Sequence, residues 1–169
     1  MANKYLQLGT SGFPEEAEAN AASAGAGDAG KLVALNASGD IDASMLPPGA
    51  EANVETIECT ETLTDGNFVN IYESTGVKCR KADATDNTKP AHGFVLANVT
   101  SGQNASVYTH GVNNGLTGLN EGVAQFLHTT AGERSETPPS STGNVVQRLG
   151  FAISPTELDF FPGDPIKRA

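Results

Sequence analysis

The sequence predicts an all-β protein: a small β-barrel or β-sandwich domain over residues 51–169, preceded by an extended, largely irregular N-terminal arm over residues 1–50. Three observations lead there. Short runs rich in Val, Ile, Phe, Tyr and Thr recur at close spacing after Asn53. Turn signals separate them at Asp65-Gly66, Thr75-Gly76, Ser101-Gly102 and Pro155. The bulky apolar residues are unevenly spread: no aromatic lies between Phe13 and Phe68, where Ala, Gly, Ser, Asn and Asp dominate.

The arm is taken first. Residues 1–13 set Tyr5, Leu6, Leu8 and Phe13 among polar residues and glycines, as an anchoring peptide would. Residues 14–30 are nearly all small or acidic. Pro14 is well placed for the first turn of a short helix over 15–24. Such a helix would have no face worth burying, so the expectation is a flexible linker. Leu32, Val33 and Leu35 lie in a run with β character, and residues 36–40 signal a turn around Gly39. Asp42 can cap one helical turn ahead of Pro47 and Pro48. The few large apolar side chains in the arm offer less burial than the backbone entropy of ordering it would cost. The arm should therefore be mobile alone and ordered against a partner. Its expected contact residues are Tyr5, Leu6, Leu8, Phe13, Leu32, Val33, Leu35, Met45 and Leu46.

In the domain, strands are expected at residues 54–60, 68–72, 77–82, 93–98, 105–110, 125–128, 145–152 and 157–160. Alternation puts Gln125 and Leu127 on one face and Phe126 and His128 on the other. Over 145–152 the same rule sets Val145, Gln147, Leu149 and Phe151 against Val146, Arg148, Gly150 and Ala152. Both faces carry apolar residues, so this strand should be covered on both sides, inside a sandwich or between subunits.

Charge narrows the function. The chain carries 20 acidic and 10 basic residues, a formal net charge of −10. An acidic surface repels phosphates, so no nucleic-acid partner is expected; the densest basic stretch is only Lys78, Arg80 and Lys81. No apolar run is long enough to span a bilayer, and no signal pattern opens the chain, so no membrane partner is expected and synthesis in a cytosol is. Cys59 and Cys79 are then expected as reduced thiols, with a cross-strand disulfide as the alternative.

Catalytic and cofactor signatures are missing. No G-x-S-x-G occurs, and neither cysteine adjoins a histidine in sequence. His92, His110 and His128 lack metal-ligand spacing. Asp83, Asp86 and Asn87 lack the glycine and distal glutamate of a calcium loop, so they read as a solvated loop. Glu15/Glu16 and Glu55/Glu58 read as solvated carboxylates. Gly25, Gly27 and Gly30 follow no strand and precede no Lys-Ser/Thr, so they are not a phosphate loop. The expectation is a protein that is not an enzyme, with no cofactor and no metal.

Two stretches resemble phage virion proteins. Residues 30–49, GKLVALNASGDIDASMLPPG, look like the connector near the N-termini of many phage head-decoration and fibre proteins. Residues 91–153 resemble the β-rich domain of capsid decoration and fibre-associated proteins. The shared features are an A-x-G-F-V strand at Ala91, G-x-x-A-x-V at Gly102 and G-L-x-x-G at Gly118. F-L-x-T-T-A-G follows at Phe126 and G-N-V-V-Q-x-x-G-x-A at Gly143. The resemblance covers about half the chain and implies a small β-barrel module, usually trimeric, with no cofactor. The expected function is that of a tailed-bacteriophage decoration or cement protein. It would be made in the bacterial host cytoplasm and bind the outer surface of the virion head, stabilising contacts between major capsid protein subunits. Its expected partners are the major capsid protein and itself, as a homotrimer. The alternative is a head-fibre, tail-fibre or spike component that binds a host receptor; the absence of Trp and the presence of only three Tyr weigh against a glycan site.

Overall fold

The computed structural model describes residues 4–37, 39, 41, 42, 45 and 53–169. The chain forms two units, Met1–Ala52 and Asn53–Ala169, which are taken separately.

The N-terminal unit opens with an antiparallel hairpin. β1 (Lys4–Leu8) pairs with β2 (Pro14–Glu18), in register from Lys4↔Glu18 to Leu8↔Pro14. Gly12 turns the chain at φ +82°, and Gly9 N–H donates to Phe13 O at 2.9 Å. A strand therefore stands where the linker or short helix was expected. Pro14 is the first residue of β2, where a missing N–H does no harm. The carboxylates of β2 stay in solvent, and Glu16 pairs with Lys4. A strand asks no continuous buried stripe of this sequence, as a helix would. A single 3-10 turn follows at Ala26–Asp28. The expected β character at 32–35 survives as a bridge, with Asn20 donating to Leu32 O and Ala34 donating to Asn20 O. Met45 N–H donates to Asp42 O at 2.9 Å, the local turn that Asp42 forecast.

The C-terminal unit is all-β and starts with a closed barrel. Its strands are β3 (Val54–Cys59), β4 (Phe68–Ser74), β5 (Gly76–Lys81), β6 (Gly93–Phe94) and β7 (Asn104–Tyr108). They close in the order β3-β5-β4-β6-β7. The β3–β5 junction is parallel, with Glu58↔Lys78 and Cys59↔Cys79, and the other junctions are antiparallel. Alternation sends Ile57, Cys59, Val69, Cys79, Ala105 and Val107 into the barrel, joined by Leu63 and Val95 from loops. β6 is shorter than the sequence forecast. Beyond Phe94 the backbone leaves the ladder: Val95 exchanges hydrogen bonds with Gly66 and Asn67 in the loop before β4.

A second sheet packs on the barrel. It comprises β8 (Gly111–Asn113), β9 (Ala124–Leu127), β10 (Arg134–Ser135), β12 (Arg148–Ser154) and β13 (Glu157–Phe160), in the order β10-β9-β12-β13-β8. β11 (Val145–Val146) precedes β12 and pairs with β14 (Ile166–Lys167). The short strands β8, β10 and β14 carry too few residues to show a period, and the sequence did not signal them. Between barrel and sheet lies a second core of Phe68, Phe94, Leu127, Leu149, Leu158 and Phe160 with small alanines. Phe160 holds it together, with ring centroids 5.7 Å from Phe68 and 5.4 Å from Phe94. β4 feeds both cores, Val69 pointing inward and Phe68 toward the sheet.

One expectation is corrected in β12. Sequence alternation put Phe151 on the face of Leu149. The pairing of β12 with β9 slips between Arg148 and Gly150, and Gly150 adopts φ +152°. This bulge changes the phase. Leu149, Gly150 and Ala152 are buried, while Phe151 and Ile153 emerge on the opposite face.

Candidate interaction surfaces

In the N-terminal unit, Leu6, Leu8 and Phe13 are 74%, 77% and 73% exposed. Leu6 and Leu8 share one face of β1, beside Glu16 and Pro14 of β2. Leu32, Val33 and Leu35 are each more than half exposed. Tyr5 and Met45 are half-buried. Leu32, Val33 and Met45 line one hollow, whereas Tyr5 lines another with Ala17 and Asn20. The fold thus gathers the expected contact residues into separate groups. Leu46 lies outside the described residues.

Asp28 and Lys31 flank both hollows. The Lys31 ammonium donates to the Asp28 carboxylate at 2.8 Å, and Ala24 N–H donates to it at 2.6 Å. The Lys31 bond first, then those from Ala24 and Asn20, hold the Asp28 carboxyl down at about 2. Asp28 in turn raises the Lys31 ammonium. This pairing braces the segment that carries Leu32 and Val33.

The C-terminal unit has an apolar surface of its own on the outer face of the second sheet. The rings of Phe151 and Phe161 stand 5.8 Å apart. The Arg148 guanidinium lies 5.2 Å and 5.1 Å from their centroids. Phe151 and Phe161 are each about a third exposed, and Ile153 and Val112 are exposed on the same sheet. Asp159 pairs with Phe151 on one side and Val112 on the other, which sets a carboxylate among the apolar side chains. The sequence did hint at this surface, through apolar residues on both faces of residues 145–152, but without the bulge it could not say which would emerge.

Several other polar groups are used within the fold. Asp83 accepts bonds from Thr85 N–H and Oγ1, and Asp86 accepts the same pair from Thr88. His92 Nδ1 lies 3.1 Å from Ile71 N and 3.0 Å from Ile71 O, and His128 Nδ1 accepts from Thr130 N–H at 2.9 Å. Glu58 pairs with Lys78 across the barrel junction at 2.5 Å. Buried amides act as clamps between loops. Gln147 accepts from Ala91 N–H at 2.7 Å and donates to Ala91 O at 2.9 Å and Gly163 O at 3.2 Å. Asn113 donates to Gly66 O and accepts from Gly115 N–H. Among the described residues no group of three His, Cys, Asp or Glu is arranged to hold a metal ion. No helix among them is long and apolar enough to cross a membrane. No protein-family model, curated protein or solved structure matches this chain.

Proposed function

We propose that this chain is a structural protein of a tailed-bacteriophage virion, a decoration or cement protein that grips the outer surface of the head. In this reading the N-terminal unit contacts the major capsid protein. The observation that carries the reading is the exposure of Leu6, Leu8 and Phe13 on a two-stranded hairpin. An isolated hairpin is marginal in water. Apolar side chains held out on one gain their stabilisation only when a partner covers them. The resemblance of residues 30–49 and 91–153 to phage head proteins supplies the setting.

The mechanism is thermodynamic. A protein that binds assembled capsid subunits and not separated ones stabilises the shell by mass action. Self-associated copies bring several N-terminal units to the particle together and so raise avidity. A net charge of −10 per chain suits the outside of a DNA-filled particle.

Copy number tests this. A cement protein is expected in numbers comparable with the major capsid protein. A handful of copies per particle would favour the fibre or spike reading, and absence from purified virions would end both. Hydrogen exchange adds a local test: residues 4–35 should exchange fast in the free protein and slowly on the particle. Equal protection in both states refutes the clamp role of the N-terminal unit.

A further inference from the structure

We infer that the outer face of the second sheet is a self-association interface, occupied by the same face of a second copy of this chain. The face is built from β12, its neighbours β9 and β13, and the edge strand β8. Phe151, Phe161, Ile153 and Val112 give it an apolar centre. Apolar side chains grouped on one exposed sheet face mark a contact surface.

The charges choose the occupant. Arg148 stacks on both phenyl rings, yet among the described residues it pairs with no carboxylate of its own chain. Asp159, on the adjacent strand of the same face, likewise pairs with no cation among them. One face therefore offers an unpaired guanidinium and an unpaired carboxylate around an aromatic centre. A second copy presents the complement of both, because a face that carries both signs can pair with itself. The chain as a whole is acidic, with 20 acidic against 10 basic residues, so two copies repel in most orientations and a face that carries both signs is favoured. Arg148 is already oriented by the two rings, so little of its side-chain freedom is left to lose on association.

The test is sedimentation of the full chain over a concentration series up to about 100 µM. The wild type is expected to self-associate. Phe151→Asp and Ile153→Glu should each weaken association more than about tenfold while leaving the far-UV spectrum unchanged. Arg148→Glu and Asp159→Arg should each weaken it, and the double exchange should recover most of the loss. Ile153 is more exposed than Phe151, so I153E keeps the test decisive if F151D fails to fold. A monomeric wild type overturns the inference, as does an oligomer that survives both apolar variants. A double exchange no better than its parents overturns the charge pairing. A monomer that needs Phe151 to attach to a particle would assign the face to another protein and also overturn it. The virion reading fails separately: a chain that self-associates but is absent from particles loses that reading and keeps this interface.

Discussion

Cys59 and Cys79 lie side by side, in register across the parallel β3–β5 junction, and both are fully buried inside the barrel. Both are free. Burial, and then the neighbouring Cys59, push the Cys79 thiol up to about 11 from its ordinary 9.0. A thiol so placed is a poor nucleophile. Alkylating reagents at neutral pH should leave both cysteines unmodified in the folded protein and label both in denaturant, as read by mass spectrometry. Rapid native labelling would mean that the barrel opens.

The same shift has a pH consequence. The folded state holds the Cys79 proton more tightly than the unfolded chain does. The resulting stabilisation is complete below about 9 and lost as pH rises toward about 11. Its size is on the order of 2–3 kcal/mol. Denaturant melts between pH 8 and 11 should therefore fall more steeply for the wild type than for Cys79→Ala. Parallel curves would remove the thiol as the cause.

Gly150 should tolerate no side chain. A Cβ there would stand 1.9 Å from Asp159 O, and φ is +152°. Gly150→Ala is expected to cost more than about 3 kcal/mol. Gly143→Ala is the control: φ is +87°, but a Cβ there would meet nothing within 4 Å. It should cost only about 1 kcal/mol. Similar losses at the two sites would show that the bulge in β12 yields.

Gln147 joins three backbone groups of two loops through one buried amide. Gln147→Leu keeps the volume and strands those groups. The expected loss is about 2–4 kcal/mol in a two-state melt, and the amide proton of Ala91 should lose its exchange protection. A neutral substitution would mean that water replaces the amide.

Acid should loosen the N-terminal unit locally. The Asp28 carboxyl is held below its unfolded value, so its contribution is present above about 3.8 and lost as pH falls toward about 2. Resonances of residues 24–31 should shift in that window, and Asp28→Asn should abolish the transition. An unchanged titration in Lys31→Ala would rule out Lys31 as the main cause.

Much of the body was legible from residue order. The alternation in residues 54–59 and 124–127, and the glycines at 66, 76 and 102, are local signals. A strand's period and a turn's positive φ depend on neighbours a few positions away. The arm's apolar residues were equally plain, and Leu6, Leu8 and Phe13 do stand exposed. Residues 14–18 were misread because their composition, small and acidic, says nothing about β1, the strand that draws them into a hairpin.

Sequence alone determined the all-β class, the split between a sparse front segment and a strand-rich body, and most strand positions, because each follows from short-range periodicity and composition. Only tertiary structure decided that β3 meets β5 in parallel to close a barrel. It also decided that a second sheet shares Phe68, Phe94 and Phe160 with that barrel, and that Phe151 faces outward. Those outcomes depend on pairings between residues far apart in the chain, and on a one-residue slip at Gly150. A single added residue reverses which side of a strand every later side chain occupies, and no local pattern records it.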